Sequence, residues 1–161
     1  MPHPIGAPAP VLILRDVRGE DVRYDWAVGR PSLLNFFRSD CPWCISELPK
    51  LATLYRKHRD LDIDVIGVST AGEGDDSLHE FLRAGEIDFR ILIDPGNAAC
   101  AALAIERLPT IVAINANGEM ANVYEGASEQ LCGVVEQTLL ALARRDPLPN
   151  YHLVGNGCGI G

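Results

Sequence analysis

The stretch Arg38–Lys50, "RSDCPWCISELPK", has two cysteines three residues apart at the junction of two sequence patterns. The residues before it, Ser32–Phe37, form an almost unbroken apolar run, which favours a central strand covered on both faces. Proline is favoured in the first turn of a helix, so we predict a helix from about Pro42 to about Asp60. The two cysteines therefore lie where a buried strand passes into a helix.

The remaining sequence alternates between strand and helix patterns. We predict strands at residues 11–16, 20–24, 63–70 and 89–94, two further strands within residues 110–126, and further helices at residues 76–84, 98–105 and 128–145. Asp75 or Asp76 is expected to cap the second helix, and Asn117-Gly118 is a strong signal for a hairpin turn. This order predicts an α/β protein, a three-layer α/β/α sandwich with a mixed central sheet and an N-terminal β-hairpin extension.

The chain is predicted to form one domain, because 161 residues is an ordinary length for one. Residues 1–10 contain four prolines and are expected to be an extended lead-in. Residues 11–145 are expected to form the domain, and residues 146–161 an irregular tail rich in proline and glycine.

The net charge of −8 argues against nucleic acid or an anionic membrane as the main partner. No apolar stretch approaches the roughly 18 residues that span a membrane. The N-terminus lacks the positive and apolar regions of an export signal. The sequence as written therefore predicts a cytoplasmic location, or an extracytoplasmic one if an export segment has been removed. We also expect a monomer.

The two cysteines suit thiol–disulfide chemistry. Cys41 is expected where the unpaired backbone N–H groups and the positive dipole end of the helix converge, and both favour its thiolate. The thiolate can attack a disulfide in another molecule, and Cys44, on the same helix face, can then release the product. Pro42 and Trp43 stiffen the turn between them. This chemistry requires no metal and no organic cofactor.

The cysteine pair has two alternative interpretations. A C-x-x-C pair can supply half of a tetrahedral zinc site, but the chain has no second pair, and His152 and Cys158 have no regular spacing. The pair could also be an inert structural disulfide. Five cysteines, however, do not fit a purely structural disulfide framework. A redox site is the favoured interpretation.

Several segments resemble the TlpA/ResA-like thiol–disulfide oxidoreductases, a family with the thioredoxin fold. They are "APVLILRDVRGEDV", "GRPSLLNFF", "CPWCISELP" and "RLPTIVAINANGEM", and the similarity covers about residues 6–145. The resemblance implies a thioredoxin-like sandwich. It also implies a dithiol–disulfide oxidoreductase that acts on protein disulfides and is regenerated by an external thiol reductant.

The resemblance also assigns roles to residues. It implies that Cys41 is the attacking nucleophile and Cys44 the resolving thiol. Pro109 matches the cis-proline position that faces the cysteines, and the backbone of Leu108 matches the residue that pairs with an extended substrate segment. A trans proline that merely opens a strand is the alternative for Pro109. Trp43 offers substrate an aromatic surface, or is an ordinary exposed residue at a helix start.

Proton transfer is expected to use Glu47. Asn35 lies in the apolar strand where thioredoxins carry a buried aspartate, and an amide does not titrate. Glu47 is one helical turn beyond Cys44, and the resemblance marks this glutamate as an acid/base group. The alternative is a surface glutamate paired with Lys50 or Lys57.

Asp40 departs from the family pattern, which usually has an aromatic residue before the first cysteine. A carboxylate beside Cys41 opposes thiolate formation, and Arg38 offsets part of this effect. We therefore expect a modest activation of Cys41, which favours a reductant over a strong oxidant.

The remaining cysteines receive other expectations. Cys100 and Cys132 lie on apolar helix faces and are expected in the core. Cys158 lies in the tail, where it could be a free surface thiol, a partner for another chain, or a second redox relay to Cys41.

Two alternative functions stay open. Peroxiredoxin-like thiol peroxidases share this fold, but they usually have a threonine three residues before the peroxidatic cysteine, where this chain has Arg38. The other alternative is a thioredoxin-like module that binds extended peptides and whose disulfide is only structural.

Overall fold

The computed structural model describes residues 4–26, 29–70, 76–149 and 154–160. The strands are β1 (Leu12–Arg15), β2 (Asp21–Tyr24), β3 (Ser32–Phe37), β4 (Asp64–Ser69), β5 (Arg90–Ile93), β6 (Arg107–Leu108), β7 (Thr110–Ile114), β8 (Met120–Glu125) and β9 (Cys158–Gly159). The helices are α1 (Pro42–Lys57), α2 (Asp76–Ala84), α3 (Ala98–Ala102) and α4 (Leu131–Arg144). Asp75 and His152, with parts of the lead-in and of the tail, lie outside the described residues.

One mixed sheet of seven strands forms the middle layer, in the order β2-β1-β5-β4-β3-β7-β8. β3 is central: it runs parallel to β4 and antiparallel to β7, and all its residues are buried. The first hairpin, β1 and β2, joins the sheet where Arg15 pairs with Ile93 of β5. The α/β class, the mixed sheet and the N-terminal hairpin extension are therefore confirmed.

Helices cover both faces of the sheet. On one face α1 packs against α4, and Phe81 of α2 stacks on Phe37 of β3. Side chains alternate along a strand, so Leu34 and Phe36 point to the other face, where they share a core cluster with residues of α3. These layers set the N-terminus of α1 directly beyond the end of β3.

The tail differs from the irregular segment expected from its proline and glycine content. In its described part, residues 154–160, β9 pairs antiparallel with β6, with Leu108 opposite Cys158. Two isolated bridges, of Val154 with Glu125 and of Asn156 with Ala127, continue this contact. The glycines of the tail have no side chain, so the tail backbone can approach its neighbouring backbone closely. Among the described residues, no helix combines the length and the apolar character needed to cross a membrane.

Candidate active site

Cys41 occupies the N-cap of α1, as predicted from the strand-to-helix junction. Its backbone has extended geometry (φ −91°, ψ 119°), and its carbonyl accepts the first helical hydrogen bond from Ile45 N at 3.0 Å. Pro42 follows as the first helical residue, and the first turn holds no acidic side chain. The positive end of the helix dipole is therefore directed at Cys41 without a competing carboxylate in the first turn of the helix.

Cys44 lies in the first turn of α1 and is a buried free thiol. Burial raises the pKa of Cys44 to about 11, although a backbone N–H of Arg38 and its guanidinium charge act in the opposite direction. Asp40 adds a smaller raising effect. At neutral pH this thiol is protonated, so it must lose a proton before it can act as a nucleophile.

Cys41 forms a disulfide with Cys158 of the tail, and the two Cα atoms are 6.1 Å apart. Cys44 remains a thiol beside this bond. The sequence predicted Cys41 and Cys44 as the exchanging pair and left Cys158 open among three roles. The structure brings all three cysteines to the same end of α1.

The Leu108–Pro109 peptide bond is cis, the isomer that the resemblance implies at Pro109. The carbonyl oxygen of Leu108 lies 3.8 Å from Cys41 Sγ. The segment before the cis-proline thus borders the sulfur of Cys41, and it is this segment, β6, that pairs with the tail.

The comparisons with known proteins agree with this geometry. A family model described as the AhpC/TSA family matches residues 5–123. The chain belongs to this family. It is 32% identical over 127 residues to the thiol-disulfide oxidoreductase ResA of Halalkalibacterium halodurans, covering 78% of this chain and 72% of that protein. It is a thiol–disulfide oxidoreductase of the AhpC/TSA family. The resemblance to ResA-like proteins seen in the sequence is therefore confirmed.

Solved structures of low sequence identity share the fold. The thioredoxin domain of a thiol-disulfide oxidoreductase of Bacteroides vulgatus superposes with a TM-score of 0.70 at 20% identity, covering 84% of this chain and 97% of that one. A Sinorhizobium meliloti protein described as hypothetical reaches a TM-score of 0.85 at 13% identity, covering 99% of this chain and 95% of the other. Both support the thioredoxin-like sandwich.

The side chain of Asn35 makes two hydrogen bonds inside this member of the AhpC/TSA family. Its side chain is buried, donates to the carbonyl of Ile66 at 3.3 Å, and accepts a hydrogen bond from the Tyr55 hydroxyl at 2.6 Å. Burial raises the pKa of Tyr55 far above its ordinary value, so this hydroxyl keeps its proton and acts as a donor. The amide thereby links β3 to α1 behind the active-site turn.

Glu47 lies on the buried side of α1 together with Cys44, and is 7% exposed. Its carboxylate is 3.8 Å from Lys50 Nζ, while Lys57 pairs with Glu136 instead. Burial raises the pKa of Cys132 on α4, and the charge of Glu47 adds to this effect. Glu47 is therefore less exposed than the surface alternative required, and its role in proton transfer stays a prediction.

Two residues just before Cys41 make contacts that the sequence did not reveal. Arg38 Nε donates to the carboxylate of Asp40. A second guanidinium nitrogen, Nη1, donates to the carbonyls of Gly159 and Ile160 at 2.8 and 3.2 Å. Asp40, which departs from the family pattern, thus holds the arginine that binds the tail. One sequence signal indicated this contact: an unusual "RSD" before Cys41 occurs together with an unusual cysteine-containing tail.

The remaining site expectations have mixed outcomes. Trp43 is 41% exposed at the start of α1, which leaves its contact with substrate untested. Cys100 is buried, and Cys132 is only half-buried on α4. Within the described residues, no group of three or more His, Cys, Asp or Glu side chains is arranged to hold a metal ion.

Proposed function

We propose that this protein reduces disulfides in protein substrates through Cys41 and Cys44. One observation carries the proposal: an extended segment pairs with Leu108, just before cis Pro109, and is covalently bound to Cys41 through a cysteine. Reduction of a protein disulfide passes through a mixed disulfide, and backbone hydrogen bonds to an added strand can hold the substrate while its sulfur is bonded to the enzyme.

The reaction then has two exchanges. The thiolate of Cys41 attacks one sulfur of the substrate disulfide, forming a mixed disulfide and releasing the other substrate cysteine, which takes up a proton. Cys44 loses its proton and attacks Cys41 Sγ, so that the mixed bond breaks and the second substrate cysteine leaves. The substrate disulfide has then gained two electrons, and the Cys41–Cys44 pair, now a disulfide, has lost them. An external thiol reductant restores both thiols by the same exchange chemistry.

The neighbouring residues have distinct parts in this proposal. Glu47, one turn along the buried side of α1, accepts the proton of Cys44. Leu108 supplies backbone groups for strand addition, and Trp43 supplies an exposed aromatic surface beside the sulfur. Pro42 and Asn35 keep the turn and the helix fixed against the sheet.

The proposed direction is reduction. Thiol pairs in strong oxidants have a greatly stabilised thiolate, and the Asp40 carboxylate next to Cys41 works against such stabilisation. In the cytosol the glutathione pool would keep the pair mostly reduced. In an extracytoplasmic compartment a dedicated thiol donor would be needed, and cell fractionation distinguishes the two locations.

Turnover of a disulfide-bonded test protein with dithiothreitol as reductant tests the proposal. We expect Cys41→Ser to abolish catalysis and Cys44→Ser to reduce it severely. Cys132→Ser, which removes a half-buried thiol on α4, is the matched control and should retain wild-type turnover. Undiminished turnover in Cys41→Ser would contradict the proposal.

Thiol peroxidase activity is a second candidate, and the Cys41–Cys158 bond is the observation that favours it. A peroxide would oxidise Cys41 to a sulfenic acid with release of water or an alcohol, and Cys158 would condense with it to form this disulfide and water. Peroxide consumption driven by dithiothreitol separates the candidates: the peroxidase requires Cys158, whereas the disulfide reductase requires Cys44.

A further inference from the structure

We propose that the tail segment, residues 154–160, competes with substrate for the same binding edge. Cys158 is then a third redox cysteine, which competes with Cys44 to form a disulfide with Cys41. The proposal rests on the proposed function of Cys41 and Cys44. It adds that the enzyme alternates between a closed form with a Cys41–Cys158 disulfide and an open form in which β6 is free for substrate.

The tail uses the backbone edge that a substrate would need. β9 pairs antiparallel with β6, with Gly159 opposite Arg107 and Cys158 opposite Leu108. The pairing is extended by hydrogen bonds of 2.6 and 2.9 Å between the backbones of Ala127 and Asn156, and of 2.6 Å from Gly155 N to Glu125 O. A peptide added to β6 in the same way would have to displace this segment.

The glycines of the tail are fitted to this contact. A Cβ on Gly157 would lie 2.2 Å from Arg107 Cγ and 2.6 Å from the Leu108 carbonyl oxygen. A Cβ on Gly155 would lie 2.3 Å from the carbonyl oxygen of Ala127. Both positions are therefore closed to any larger residue while the tail is docked. Gly159, by contrast, has open space where its Cβ would be, so the requirement is specific to two positions.

Two arginines hold the backbone of the tail. Arg38 Nη1 donates to the carbonyls of Gly159 and Ile160, and Arg38 is itself held by the Asp40 carboxylate. Arg107 Nη1 donates to the carbonyl of Gly155 at 2.8 Å. These bonds recognise backbone carbonyls on both sides of Cys158, so they position its sulfur against Cys41 independently of the disulfide itself.

The docked tail covers the reacting atoms. Cys41 and Leu108 are both fully buried in this form. A substrate disulfide cannot approach Cys41 Sγ, and the sulfur is already bonded. The closed form is therefore inactive toward substrate until the tail leaves.

Opening requires no added oxidant or reductant. Cys44 loses a proton and attacks Cys41 Sγ; the Cys41–Cys158 bond breaks, the Cys41–Cys44 bond forms, and Cys158 leaves as a thiolate that takes up a proton. One disulfide replaces another, so no net oxidation occurs, and the external thiol reductant must then reduce the Cys41–Cys44 bond before Cys41 can attack a substrate. In the reverse exchange, Cys158 attacks Cys41 of the Cys41–Cys44 disulfide. This closes the enzyme after a substrate has oxidised that pair.

Disulfide mapping by mass spectrometry after oxidation with glutathione disulfide tests the tail without any protein substrate. We expect the Cys41–Cys158 peptide to dominate in the wild type and in Gly159→Ala. In Gly157→Ala the ratio of Cys41–Cys158 to Cys41–Cys44 should fall by roughly tenfold, because the added methyl group cannot be accommodated. Equal ratios in Gly157→Ala and Gly159→Ala, or only Cys41–Cys44 in the wild type, would overturn the proposal.

Turnover kinetics of Gly157→Ala, with Gly159→Ala as control, provide the second measurement. Cys41 must be reduced before it attacks a substrate, so the docked tail then competes without its covalent bond. The added methyl group at Gly157 weakens this competitor, which is held at a millimolar effective concentration, so KM for a disulfide-bonded test protein should fall by roughly tenfold with kcat little changed. An unchanged KM would overturn the tail proposal. A normal disulfide map with no turnover in any variant would instead overturn the proposed reductase function, so the two failures are distinguishable.

Discussion

Cys158 lies in register opposite Leu108, so the residue that precedes the cis-proline pairs with the cysteine that is bonded to Cys41. One short contact therefore combines backbone recognition and a covalent bond at the same sulfur. A substrate strand would need both features in a mixed disulfide. In the proposed reaction, a substrate strand would be held as the tail is held here.

The reduction potential of the Cys41–Cys44 pair should lie in the reducing range. We expect roughly −220 to −300 mV, close to values for thioredoxins and glutaredoxins, because Asp40 limits stabilisation of the reduced thiolate. Equilibration of the Cys158→Ser variant with glutathione buffers measures this pair without interference from the tail. A value near the roughly −120 mV of a strong oxidant would reverse the direction of the proposed reaction.

In Glu47→Gln, where no carboxylate accepts the proton of Cys44, the rate of the second exchange should rise with pH. Burial raises the pKa of Cys44 to about 11, so its thiolate fraction increases about tenfold per pH unit between pH 7 and 10. Arg38 and Asp40 are the charged groups that act on this thiol. Stopped-flow measurement of release of a thiol from a mixed disulfide at Cys41 should follow this slope. A plateau already at pH 8 would contradict it.

Replacement of Glu47 by Gln should slow the second exchange and leave the first unchanged. The carboxamide has nearly the same shape but cannot accept the proton of Cys44, and general base catalysis typically contributes about a hundredfold or more. Alkylation of Cys41 in the reduced protein reports the first step, and release of substrate from the mixed disulfide reports the second. Lys50→Met, which removes the partner of Glu47 but not the carboxylate, serves as control. Equal rates in Glu47→Gln and the wild type would remove Glu47 from the mechanism.

Asn35 and Tyr55 should be coupled in stability. Asn35→Ala leaves the buried Tyr55 hydroxyl without its 2.6 Å acceptor, which should lower the free energy of unfolding by about 1–3 kcal/mol. Tyr55→Phe should also destabilise, and the double variant should cost less than the sum of the two, as expected for a direct hydrogen bond. Urea denaturation gives all three values. Strict additivity would show that the bond contributes nothing.

Local patterns predicted most of the fold. The apolar run of β3, Pro42 at the helix start and the Asn117-Gly118 turn each act within a few residues, so their structures follow from the sequence alone. The resemblance added the cis bond at Pro109, which no local pattern specifies.

The docking of the tail could not be predicted, because it depends on contacts between residues far apart in the chain. Cys41 and Cys158 are separated by 117 positions, and glycines such as Gly157 read as loop signals. Their steric fit against Arg107 exists only in the folded molecule. Likewise the sequence shows Asp40 only as a charge that opposes the Cys41 thiolate, whereas its contact with Arg38, which binds the tail, exists only in the folded molecule.

Trapping of the mixed disulfide tests the central claim most directly. A Cys44→Ser, Cys158→Ser double variant removes both thiols that can displace a substrate from Cys41. When it is incubated with a disulfide-bonded test protein, we predict a stable covalent complex in which mass spectrometry locates the bond at Cys41. A complex bonded through Cys100 or Cys132, or no complex while Cys41 remains free to react with an alkylating agent, would contradict the account.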